Sequence, residues 1–201
     1  MNTYAKAETF AGALLAPLDR MKQVALVVGF SLLTALAAQV VIPLQPVPIT
    51  GQTFAVLLAG ALLGSRLGAL AMFAYLAEGA SGLPFFRGGN AGVGYMIGAT
   101  GGYLFAYPVA AYVVGLLAER GWDRRFITAA AAMLLGSLVI LAGGWLWLSR
   151  FVGAGQAFQL GVARFLVGDA VKVALAAAVL PTGWALIGRR RHARAVEARG
   201  D

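Results

Sequence analysis

An acid and a base stand three residues apart inside an apolar stretch, Gly161-Val-Ala-Arg164-Phe-Leu-Val-Gly168-Asp169-Ala-Val-Lys172. A charge near the centre of a bilayer costs at least about 2.5–3.5 kcal/mol on insertion scales. Spacing three puts Asp169 and Lys172 on neighbouring parts of one helix face, close enough to pair. Pairing lowers the cost, yet two apolar residues would cost less still. The pair therefore points to a polar ligand pocket, in which Asp169 accepts and Lys172 donates hydrogen bonds. An ion pair that only fixes helix packing is the plainer alternative.

A second candidate is the segment 79–103. Its glycines let backbone N–H and C=O groups approach a ligand closely. Asn90 offers an amide donor and acceptor, and Phe85, Phe86, Tyr95 and Tyr103 offer apolar walls. A plain glycine-rich turn is the alternative. A phosphate cradle fits poorly, because neither G-x-x-x-x-G-K-[ST] nor G-x-G-x-x-G occurs and no strand precedes the segment. The chain has no cysteine, and its one histidine, His192, lies in a basic tail. Thiolate metal sites, His-based metal sites and Ser-His or Cys-His catalysis have nothing to work with. The expectation is a binding protein and not an enzyme, with no metal and no cofactor.

These residues need a frame. Of 201 residues, 60% are hydrophobic and 12% charged, and the mean hydropathy is +0.80. A soluble domain carries roughly a quarter charged residues. One core cannot hide so much apolar surface, so the surface must face lipid. Apolar runs at 24–42, 53–64, 67–77, 98–118, 126–148 and 156–187 predict an all-α, integral membrane bundle of about six transmembrane helices. The second and third runs are short for a bilayer. A signal peptide ending near Ala35-Leu36-Ala37 competes for the first run, but the region before it is long and hydrophobic segments follow. Pro43, Pro46 and Pro48 break the chain after the first run. Residues 78–97 are too irregular for lipid contact and belong inside the protein or along a cavity. The expected organisation is one membrane domain over 1–201. It has an amphipathic lead-in at 1–23, a six-helix core at 24–187 and a basic tail at 188–201.

The net charge of +8 has a topological meaning. With six spans and both termini in the cytoplasm, Lys6, Arg20, Lys22, Arg66, Arg120, Arg124, Arg125 and five tail arginines fall inside. Only Arg87 and Arg150 fall in outside loops. That bias predicts cytoplasmic termini in a multi-pass cell-membrane protein. No basic stripe interleaved with aromatics suggests nucleic acid. Small residues at spacing four (Ser31 with Ala35, Thr34 with Ala38, and Gly60, Gly64, Gly68) allow close helix approach, either within the chain or against another membrane subunit.

Four segments, in order, resemble a known family. Pro46-Val-Pro48-Ile-Thr50-Gly-Gln52-Thr53 looks like the signature after the first helix of BioY-type biotin transporters. Gly82-Leu-Pro84-Phe-Phe-Arg-Gly88-Gly89, Thr100-Gly101-Gly102-Tyr103-Leu104, and Gly168-Asp169 followed by Lys172 are similar to three more. The resemblance covers about residues 24–187. It implies a six-helix S component of an energy-coupling factor transporter. Such a subunit captures biotin near the outer face and works with a transmembrane coupling protein and ATPase subunits. By resemblance, ligand-binding positions carry over to Asn90, Tyr103, Asp169 and Lys172, with Gly102 as backbone. Small residues of the first helix, here Ser31, Ala35 and Ala38, are implied at the coupling interface. Family members often have proline where this chain has Ala99 and Val167.

Overall fold

The computed structural model describes residues 9–44 and 46–200, with side chains as far as residue 188. Lys6, Glu8 and the side chains of the tail arginines and His192 lie outside the described residues.

A short helix α1 (Phe10–Leu15), capped by the Thr9 hydroxyl accepting from Gly12 N at 3.2 Å, leads in. α2 (Arg20–Ala37) starts where the Asp19 carboxylate accepts from Lys22 N at 2.8 Å. This cap sets the start four residues earlier than the charge-free run suggests, because a polar first turn at the membrane surface costs little. The three prolines then hold an extended hairpin. β1 (Val41–Ile42) pairs antiparallel with β2 (Ile49–Thr50), Val41 opposite Thr50.

α3 (Gln52–Leu63) and α4 (Ser65–Ala80) follow with only Gly64 between them. Gly64 has φ +85°, a conformation suited to a residue without Cβ. The Glu119 carboxylate accepts from both Ser65 N and Ser65 Oγ at 2.9 Å, capping α4 where it starts. Arg66 therefore does not interrupt helix as the sequence suggests, since it sits exposed in the first turn of α4. At 1.5 Å per residue α3 is only about 18 Å long. The hairpin before it returns to the bundle through its second half, where Val47, Pro48 and Thr50 are buried.

Residues 81–92 are irregular and lead into one short turn, α5 (Val93–Met96). α6 (Gly101–Ala118) and α7 (Phe126–Val152) are joined by a charged turn containing Gly121 at φ +82°. The last run is divided into α8 (Ala154–Phe158), a π-helical turn at Gln159–Ala163 and α9 (Leu166–Gly200). α9 continues as helix past position 187, where the span is expected to end. Four of these stretches are long and apolar enough to cross a bilayer: Arg20–Ala37, Gly101–Ala118, Phe126–Val152 and Ala154–Gly188. With the shorter α3 and α4 they make the six-helix bundle.

The core is knit by small residues. A Cβ on Gly60 would lie 2.4 Å from the Ala111 carbonyl oxygen, and one on Gly68 would lie 2.9 Å from Gly60 Cα. The glycine repeat of α3 and α4 thus serves close packing within the chain, among α3, α4 and α6. At the end of the bundle remote from the hairpin, Trp184 of α9 donates to Asp123 and lies under the Arg124 guanidinium at 4.5 Å. Burial pushes the Asp123 carboxyl above the usual carboxylate range, and the Trp184 hydrogen bond and Arg124 oppose that shift.

Candidate ligand-binding site

Asp169 in the first turn of α9 and Lys172 in the second come together, with Lys172 Nζ 3.4 Å from Asp169 Oδ1. Each is held from a different helix. Lys172 Nζ donates to Thr53 Oγ1 at 2.6 Å, in the first turn of α3. Asp169 Oδ2 accepts a short hydrogen bond from Ser137 Oγ of α7. Asp169 is only 6% exposed. The charge pair is therefore pinned between α3 and α7, and neither group is free to swing into lipid.

Beside the pair lies a cavity of about 30 Å³, lined by Thr50, Gln52, Thr53, Arg87, Tyr95, Thr100, Tyr103, Leu104, Tyr107, Ile140, Leu141, Phe165 and Lys172, with Val47 and Pro48 closing one side. That is room for no more than about two or three water molecules. A vitamin-sized ligand is admitted only if walls move. The walls without helical reinforcement are the hairpin segment, which carries Val47 and Pro48, and the loop that carries Arg87.

Aromatic rings form the frame. Tyr103 OH donates to the Gly161 carbonyl in the π turn at 2.7 Å, and its ring stacks on Phe165 with centroids 5.9 Å apart. The π turn exposes a carbonyl that a regular α-helix would use internally, as such turns do near functional sites. A second chain of hydrogen bonds ties the two loops together. Thr50 Oγ1 donates to Gln52 Oε1 at 2.8 Å, Gln52 Nε2 to Tyr75 OH at 2.6 Å, and Tyr75 OH to the Phe85 carbonyl at 3.2 Å. Phe86, fully buried, stacks on Tyr95 at 5.3 Å.

Of the residues expected at the site, Tyr103 and Lys172 line the cavity and Asp169 backs it. Gly102 does not line it. A Cβ there would lie 2.2 Å from Trp147 Cβ and 2.4 Å from the Gly143 oxygen, so this glycine packs α6 against α7. Asn90 is exposed, and its Nδ2 donates to the Arg87 carbonyl at 2.7 Å, shaping the loop from outside. Arg87, Thr53 and Ser137 are additional. Ser137 carries no sequence signal until the fold aims its hydroxyl at a charge, whereas Arg87 and Thr53 stand in segments that resemble the family and could have been noticed.

The expected coupling face needs correction. Ser31, Ala35 and Ala38 are 0%, 6% and 0% exposed within this one chain. Ser31 Oγ lies 3.2 Å from Glu78 Oε1 of α4 and also donates to the Val28 carbonyl, while Thr34 lies against Met72. Small residues let α2 pack closely on α4, which uses up that face. The small residues that α2 leaves exposed are Ala25 and Gly29, one or two turns earlier. They share the same spacing of four, and spacing alone cannot say which small face turns outward.

The bundle and its enclosed charge pair define a polytopic membrane protein with a small cavity of mixed polar and aromatic lining toward one end. A family model described as the BioY family matches residues 6–189. The chain is 45% identical over 157 residues to the probable biotin transporter BioY of Pyrococcus horikoshii, covering 78% of this chain and 93% of that one. It is 37% identical over 151 residues to the biotin transporter BioY of Thermotoga maritima, covering 75% and 88%. Its fold is similar to a solved S-component for biotin from an ECF-type ABC transporter, with TM-score 0.74, 25% identity, and coverage of 81% of this chain and 90% of that one. The chain belongs to the BioY family.

Proposed function

We propose that this chain is the substrate-binding membrane subunit of a biotin uptake system, acting as a transporter component and not as an enzyme. The observation that carries the reading is the Asp169–Lys172 pair, held by Ser137 and Thr53 beside an aromatic cavity. Biotin has a ureido ring with two N–H donors and one carbonyl acceptor, and a carboxylate on an apolar chain. A buried acceptor beside a buried donor, within aromatic walls, suits that ring. Support also comes from the relatives, which are biotin transporters by name, and from the solved neighbour, an S-component for biotin.

Energy coupling belongs to partner subunits, a transmembrane coupling protein and ATPases, because no phosphate-binding loop with its lysine is present. If α2 contributes to that contact, it does so with its exposed face around Ala25 and Gly29. Purified alone in nanodiscs, the chain is expected to bind radiolabelled biotin saturably and to show no magnesium-dependent ATP hydrolysis. Absence of biotin binding would remove the ligand assignment, and hydrolysis by the chain alone would remove the need for partners.

The cavity end is read as outward. Arg20, Lys22, Arg66, Arg120, Arg124 and Arg125 all lie toward the opposite end, marked by Gly64 and the 119–125 turn. A reporter active only in the cytoplasm, fused after residue 201, is expected to give signal. Signal from a periplasm-only reporter at the same position would invert the orientation or change the number of spans.

A further inference from the structure

The cavity holds two cations, and they are not equivalent. Lys172 is balanced by Asp169, and two of its three N–H donors are engaged by Thr53 Oγ1 and Asp169 Oδ1. One N–H remains, which matches a single neutral acceptor. A ligand carboxylate set there would face the Asp169 carboxylate at close range, a like-charge contact. Arg87 is different. Among the described residues no acid pairs with it, so with the Asp169–Lys172 pair neutral as a unit the cavity carries a net charge of about +1.

Arg87 is also well fixed for a loop residue. Phe86 before it is buried against Tyr75 and Tyr95. Gln39, in the turn after α2, clamps the same turn at both ends, its Nε2 donating to the Phe86 carbonyl at 3.2 Å and its Oε1 accepting from Gly89 N at 3.1 Å. Gly88 and Gly89, at φ +64° and +75°, close the turn, and Asn90 bonds the Arg87 carbonyl. The side chain leaves a braced backbone, is half-buried, and lines the cavity.

We infer that Arg87 receives the carboxylate of the ligand, leaving Lys172 and Asp169 to its ureido ring. The inference rests on the biotin reading above and adds the ligand's direction, ring against α9 and carboxylate at the loop. It makes Arg87 a determinant of specificity for a monoanion over a neutral analogue. The planar guanidinium suits two-point contact with a carboxylate.

The test compares biotin with its methyl ester, which keeps the ring and removes the charge, using purified protein in nanodiscs. A charged hydrogen bond of this kind is worth about 10- to 100-fold in affinity. The parent is expected to prefer biotin by about that factor. Arg87→Gln should lose the preference, with biotin weakened about 10- to 100-fold and the ester unchanged within about threefold. Lys172→Gln should weaken both ligands alike. A preference that persists in Arg87→Gln, or disappears only in Lys172→Gln, would overturn the assignment. Equal loss of both ligands in Arg87→Gln, with the unliganded thermal midpoint lowered, would make Arg87 a brace of the loop and overturn it too. A parent that binds neither ligand would instead remove the biotin reading and this assignment with it.

Discussion

Lys172→Ala is expected to weaken biotin binding by about 30- to several-thousand-fold, the factor that corresponds to about 2–5 kcal/mol for truncating one member of a buried, hydrogen-bonded charge pair. The loss has two sources. The ligand loses a donor, and Asp169, 6% exposed, is left with Ser137 as its remaining side-chain donor. An unpaired buried charge also destabilises the fold, by about 3–5 kcal/mol where one partner of a buried pair is removed. Lys172→Ala alone therefore confounds binding with folding. The double variant Asp169→Asn with Lys172→Met separates them, because it removes both charges, keeps an amide to meet Ser137, and fills the lysine's space. We expect this variant to be monodisperse with a thermal midpoint near the parent's, yet to bind biotin at least about 100-fold more weakly. A folded double variant that binds within about threefold of the parent would show that the pair is a packing device.

The second large effect is on the fold. Gly60→Leu is expected to yield no monodisperse protein after extraction, because even its Cβ would sit 2.4 Å from the Ala111 carbonyl oxygen and 3.1 Å from Ala111 Cα, both backbone. Backbone cannot rotate aside as a side-chain tip can, so α3 and α6 must separate. Overpacking a well-filled core typically costs about 1–3 kcal/mol even for modest insertions, and a leucine adds far more volume than that. Gly29→Ala is the matched control. Nothing lies within 4 Å of a Cβ at Gly29, and alanine is the better helix former by about 1 kcal/mol. Its thermal midpoint should equal or exceed the parent's. Recovery of Gly60→Leu at parental yield and midpoint would mean that the α3–α6 approach is not obligatory.

Much of the architecture was legible because lipid imposes a simple demand. Apolar runs of sufficient length and lopsided arginines are visible one residue at a time. Asp169 and Lys172 were visible for the same reason, as charges where charges are costly. What escaped notice depended on tertiary geometry. Thr53 and Ser137 are ordinary hydroxyls until α3 and α7 aim them at α9. Gly102 and Asn90 were carried forward for their backbone and amide groups, and here the α-carbon of Gly102 packs against Trp147 while Asn90 bonds the Arg87 carbonyl. The likeness to a known family implied Ser31, Ala35 and Ala38 at a coupling interface, while within this chain they are buried and let α2 pack closely on α4. The run at 53–64 matches α3 closely, whereas α4 extends beyond the run at 67–77, since a hydropathy run excludes Arg66 while a helix with a capped first turn does not.

The α3–α4 pair has a consequence for how the protein is made. α3 is too short to span alone, and one glycine joins it to α4, so the two must enter the bilayer as a single hairpin. Thr53 travels with that hairpin, but the lysine that meets it is 119 positions later in the chain. When the hairpin leaves the ribosome the Thr53 hydroxyl at its open end lacks that partner, and gains it only when the final helix has been synthesised and docked. The binding site is therefore the last part of the molecule to exist. A chain stalled before residue 172 would carry most of its membrane-spanning length and no closed charge pair.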